Sequence, residues 1–154
     1  MFEQMLIMPH VLFGLLGIIT AVWALVEALN AGEANRFRLK ISGIATSVFM
    51  WLSYLFGGYW YVTYYKADKA VIVKGPMPWA HTFGMEVKEH IFFVLLLLSM
   101  YLSVVIFNND VSTDKKTRNL VVLVSVLIVT LGLGMEGLAD LVNAGIKLGF
   151  MGGK

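Results

Sequence analysis

Few side chains in this sequence are equipped for binding or proton exchange, and they fall into one small set. It comprises three histidines, His10, His81 and His90, together with Glu86, Glu89, Glu136 and Asp140. His90 closes the stretch PMPWAHTFGMEVKEH, Pro76 to His90, and leads directly into IFFVLLLLSMYLSVVIF, Ile91 to Phe107, which carries no charge. A charge-free run of that length reads as a membrane-crossing helix, and ionisable groups at its rim are candidates for function. Imidazole is a common metal ligand and titrates near neutral pH. A carboxylate deep in lipid costs about 2.5–3.5 kcal/mol on insertion scales, so it should pair, bind or titrate. Glu136 is accordingly expected to be the catalytic acid, more deeply buried than Asp140.

The elements that position these groups follow from composition. The chain is 58% hydrophobic and only 14% charged, with a mean hydropathy of +0.77, far more apolar than a soluble domain. A net charge of +2 gives no reason to expect a nucleic-acid partner. The absence of cysteine excludes disulfides, thiolate-ligated iron–sulfur clusters and covalent c-type haem attachment. No phosphate-cradling glycine loop, nucleophile elbow or zinc-protease motif occurs, which leaves nucleotide and hydrolase functions without support.

Apolar runs place four spans at about 5–29, 41–64, 85–107 and 120–146. The fold expected is all-α, a single domain over 1–154 forming an integral-membrane four-helix bundle of up-down-up-down order. The acid in MFEQMLIMPH and the length of the run behind it argue for a retained first helix rather than a signal peptide. Residues 66–82 combine charges, two prolines and apolar side chains, which predicts an ordered lid with Trp79 and His81 turned towards the site.

Helix rise converts position into depth. His10 and His90 each lie about one turn inside the same membrane face, and Glu136 returns to a similar level on the fourth span, with Glu86 one turn nearer the surface. Met5 and His10 recur as Met85 and His90, HVLF as HIFF, and Gly57 as Gly137, the pattern of a parallel repeat whose axis would make the two histidines face each other. Gly14, Gly58 and Gly137 would leave room for a macrocycle between them, with Trp79 at the interface.

In topology and in the His10/His90 pair, the chain resembles the small four-helix membrane b-type cytochromes. That resemblance implies one haem b with His10 and His90 as axial ligands, exchanging electrons with quinone or with a partner redox subunit. The likeness is incomplete, because those proteins often carry four histidines for two haems and this chain has three. The carboxylates point instead to a single transition-metal ion held by His10, His90, Glu86 and Glu136, with His81 as a gate. A third reading is a cofactor-free assembly subunit, its histidines bonded to headgroups or backbone carbonyls at the interface.

Partners expected on any of these readings are the bilayer and either a larger redox complex or further copies of the chain. Lysines and arginines balance between the two ends. Arg36, Arg38, Lys40, Lys115, Lys116 and Arg118 stand against Lys66, Lys69, Lys74, Lys88, Lys147 and Lys154. All three arginines fall in the first group, which places the termini and the histidine site on the outer side of a prokaryotic-type cytoplasmic membrane.

Overall fold

The structure is a computed structural model that describes residues 2–152, with side chains from residue 5 onward; Lys154, counted above, lies outside this range. Four long helices account for nearly all of it: α1 Phe2–Leu29, α2 Arg36–Lys74, α3 Glu86–Asn108 and α4 Lys115–Gly152. No strand occurs among the described residues. All four are long and apolar enough to cross a membrane. Large apolar side chains such as Leu12, Leu55, Leu97 and Leu133 are exposed on every one of them.

The largest departure from the sequence reading concerns the expected lid. Helix α2 does not stop near residue 64 but continues to Lys74, so most of 66–82 is helical rather than irregular. YKADKAVIVK contains neither glycine nor proline, and Tyr65 and Ile72, seven residues apart on one face, are both buried. Gly75 and Pro76 end the helix. Only about five residues then intervene before a π-helical turn, Ala80–Met85, which runs into α3. At about 1.5 Å per residue, α2 with 39 residues and α4 with 38 are far longer than a bilayer core of about 30 Å.

Partners along α1 and α2 fall in reverse order, which shows how the two pack. The imidazole of His10 meets Ser53, Thr46 Oγ1 donates to Thr20 Oγ1 at 3.2 Å, and Arg38 Nε donates to Glu27 at 3.0 Å. Between α2 and α3, Ser103 Oγ donates to the Gly43 carbonyl at 2.8 Å and Ser47 Oγ to that of Ser99. Helices α1 and α3 each pack on α2 and α4. The central core is built from small and branched side chains, Ala21, Ala24, Leu102 and Ile128 among them. A second cluster gathers Tyr65, Ile72, Ala80, Met85 and Val142 where α2, the π turn and α4 meet.

The two short connections share one end of the bundle, because Arg36 pairs with Asp110 at 3.0 Å. Asn35 closes the first by donating its amide to the carbonyls of Glu27 and Asn30, satisfying acceptors left free at the end of α1. In the second, the Ser112 hydroxyl donates to Asp110, and that bond above all holds the Asp110 carboxyl below the usual carboxylate range. Asp114 caps α4 by accepting from the Thr117 hydroxyl and the Lys116 amide, which likewise lower its carboxyl.

Candidate functional site

His10 is the side chain around which a site is assembled. Its Nδ1 lies 2.9 Å from the Ser53 carbonyl oxygen and 3.0 Å from Ser53 Oγ, while Ser53 Oγ donates to the His10 carbonyl at 2.9 Å. A carbonyl can only accept, so Nδ1 carries the proton and Nε2 of the neutral ring is left as an acceptor. The ring also meets Phe92, with centroids 6.2 Å apart. The imidazole also occupies the space that a side chain at position 57 would fill. A Cβ on Gly57 would overlap Nδ1 and approach Cε1 to 2.7 Å.

Two cavities meet at this ring. The first, ≈ 320 Å³, runs between α2 and α3 and has apolar walls including Ile7, Tyr54, Phe92 and Phe93. Its polar groups are His10, Tyr61, Lys88, Glu89 and the indole of Trp60, and Gly58 leaves its wall open, with nothing within 4 Å of a would-be Cβ. Val62 and Phe93 form part of the lining yet are 82% and 56% exposed, so the cavity opens sideways on the outer surface of the helices. The second, ≈ 250 Å³, lies towards α4 and is reached by Asp68, Glu136 and Asn143 as well as by His10 and Lys88.

Some expected residues belong to this arrangement and others do not. His10, Gly14 and Gly58 line the cavities, and Glu136 joins His10 at the second one, but Glu136 is exposed on α4 rather than buried. His90 lines neither cavity; it is exposed, and its Nδ1 bonds to the Glu86 carbonyl at 2.6 Å. Helical phase is the reason, since Lys88, Glu89 and Phe92, in line with Met85 of the π turn, occupy the inward face of α3 and turn Glu86 and His90 outward. His81 is buried in the second cluster with Nδ1 3.0 Å from the Tyr65 hydroxyl, away from both cavities. Trp79 is 49% exposed and lines neither cavity. Gly137 has open space beside it, in contrast to Gly57 against the His10 ring, so the suggested repeat is not kept at the site.

These positions test the cofactors that the sequence suggested. His10 and His90 converge on no common space, so a haem b clasped by both within one chain does not fit this arrangement. Among the described residues no three histidine, aspartate or glutamate side chains come together as a ligand set. What the arrangement can do is receive an elongated apolar molecule from the side and meet its polar end with hydrogen-bonding groups.

Several residues that build the site were not singled out as site residues. Ser53 and Gly57 seat the imidazole, and Trp60, Tyr61 and Lys88 surround the polar end together with Glu89, one of the carboxylates to which the sequence points. A signal for the α3 members exists in their spacing, where Met85, Lys88, Glu89 and Phe92 follow the i, i+3, i+4, i+7 pattern of one helix face. No comparable signal marks Ser53 and Gly57, since serine and glycine are ordinary packing residues between helices in a membrane. Comparison of the chain with protein-family models, curated proteins and solved structures yields no match, and the functional reading therefore rests on the geometry of the His10 cavities.

Proposed function

We propose that this is an integral membrane protein, its four helices crossing the bilayer in up-down-up-down order, that binds a quinone-class molecule in the cavity beside His10. In this reading the isoprenoid tail leaves between α2 and α3 past Val62 and Phe93, and the ring lies among Tyr54, Phe92 and the polar groups. Electrons are exchanged with a partner redox subunit, and the long ends of α2 and α4 stand outside the hydrocarbon layer on the side of the termini.

The observation that carries the proposal is the shape of the first cavity. Its ≈ 320 Å³ falls at the lower end of small-molecule sites, about 300–1,000 Å³. It is apolar along its walls, polar at His10, Tyr61, Lys88 and Glu89, and open at the exposed side chains of Val62 and Phe93. A lipid-soluble ligand with a hydrogen-bonding head matches that distribution, whereas a water-soluble anion or cation would not need the lateral opening.

The test uses decylubiquinone and the purified protein in lipid nanodiscs, with binding followed by quenching of tryptophan fluorescence. Gly58→Leu is the discriminating variant, because its side chain would grow into free space in the cavity wall. Wild type is expected to bind saturably and Gly58→Leu to bind at least about tenfold more weakly, a loss of about 1.4 kcal/mol, with unchanged helix content. Absence of saturable binding to wild type, or equal binding to Gly58→Leu, would overturn the proposal.

A further inference from the structure

We infer that the His10 cavity is built for the reduced, hydroxyl-bearing form of its ligand, a hydroquinone, in preference to the quinone. The inference rests on the quinone-class reading and specifies which redox form the site recognises.

Two buried polar atoms of residues that line this cavity have no hydrogen-bond partner, the indole Nε1 of Trp60 and one oxygen, Oε1, of the Glu89 carboxylate, which the Tyr61 hydroxyl also reaches. They are opposite in kind: an indole N–H only donates, and a carboxylate oxygen accepts. Buried polar atoms in native proteins are almost always paired, so an unpaired donor and an unpaired acceptor at one cavity call for a ligand that supplies both partners. A phenolic hydroxyl does so, since its O–H donates and its oxygen accepts.

His10 adds a second acceptor. With Nδ1 committed to the Ser53 carbonyl, the neutral ring offers Nε2 as a lone pair, so it too calls for a donor. A quinone carbonyl has no hydrogen to give. Placed against Glu89 and Nε2 it would meet lone pair with lone pair, and only the donors Trp60, Lys88 and the Tyr61 hydroxyl would suit it. A hydroquinone satisfies donors and acceptors together. The second cavity, though it shares His10 and Lys88 and also adjoins Trp60, lacks Glu89, which assigns the preference to the first.

The experiment compares decylubiquinol with decylubiquinone on the whole protein in nanodiscs under argon, by the same fluorescence titration. The quinol is expected to bind about tenfold more tightly, the scale of a hydrogen bond to a charged acceptor. In Glu89→Met that preference should fall to about twofold or less, because the acceptor that only the quinol can satisfy is gone. Trp60→Phe should weaken both forms alike. The O-methyl ethers of the quinol, tested on wild type, give a readout that does not depend on any variant folding, and they should bind no better than the quinone. Equal or tighter binding of the quinone, or ethers that match the quinol, would overturn the inference while leaving quinone-class binding intact. Failure of both redox forms to bind wild type would remove the two proposals together.

Discussion

Replacing Gly57 by alanine is the smallest change that should disturb the site, and its size follows from three distances. The new Cβ would lie 2.7 Å from His10 Cε1 and 3.0 Å from Cγ, against about 3.5–4.0 Å for comfortable carbon contacts. The ring must therefore retreat by roughly 1 Å. It cannot do so freely, because Phe92 is in ring contact with it and Ser53 holds it at 2.9 Å through Nδ1. A shift of that size carries the Nδ1 bond past the range of a hydrogen bond. Overpacking of this kind costs about 1–3 kcal/mol, and the lost bond about 1 kcal/mol more. The neighbouring Gly58→Ala is the internal control. Its Cβ meets nothing within 4 Å, and alanine improves a helix interior by about 0.5–1 kcal/mol. Thermal unfolding in detergent, read by circular dichroism, should rank Gly58→Ala at or above wild type and Gly57→Ala below Gly58→Ala by about 2–4 kcal/mol, the helix gain being common to both, with weakened decylubiquinone binding in Gly57→Ala alone. Two glycine variants of equal stability and equal affinity would refute the argument that the missing side chain at 57 seats the imidazole.

Two further perturbations probe the parts around the site. Tyr65→Phe removes the hydroxyl that meets His81 Nδ1 at 3.0 Å in a buried cluster; it should cost about 1–3 kcal/mol in thermal unfolding, and ligand affinity should not change, since neither residue lines the His10 cavity. At the opposite end, Asp110 and Asp114 have carboxyls held below their ordinary range by hydrogen bonds from Ser112, Thr117 and backbone amides. Their stabilisation is fully present above the unfolded-state carboxylate value and is lost as pH falls through the lowered folded value. Melting curves from neutral to strongly acidic pH should show wild type approaching the Asp110→Asn/Asp114→Asn variant as the pH drops; a gap of constant width at every pH would count against this linkage.

How much of this protein was legible in the sequence depends on whether a feature is local. Four apolar helices followed directly from the uncharged runs, because a backbone in an apolar setting must satisfy its hydrogen bonds internally and a helix does so within one segment. The ends of those helices were less legible. The α2 boundary was placed where charges begin, near residue 64, yet Lys66, Asp68 and Lys69 sit on a helix that persists until Gly75 and Pro76. Charge marks where an apolar run ends, not where a helix does.

The site was only half legible, for a reason of geometry. Sequence position gives height along a helix, and on height alone His10, His90 and Glu136 belong together. It does not give rotation about the helix axis, and rotation separated them: α3 turns Lys88, Glu89 and Phe92 inward and His90 outward, while α4 leaves Glu136 at the rim. The sequence by itself therefore determined the helical architecture and that His10 lies about a turn inside the first span. Only the tertiary structure decided that Ser53 fixes its tautomer, that Gly57 makes room for it, and that Trp60 and Glu89, each with an unpaired buried polar atom, line the same cavity. Those relations join residues 29 to 47 positions apart, and close packing, which tolerates neither a clash nor a void, is what sets them.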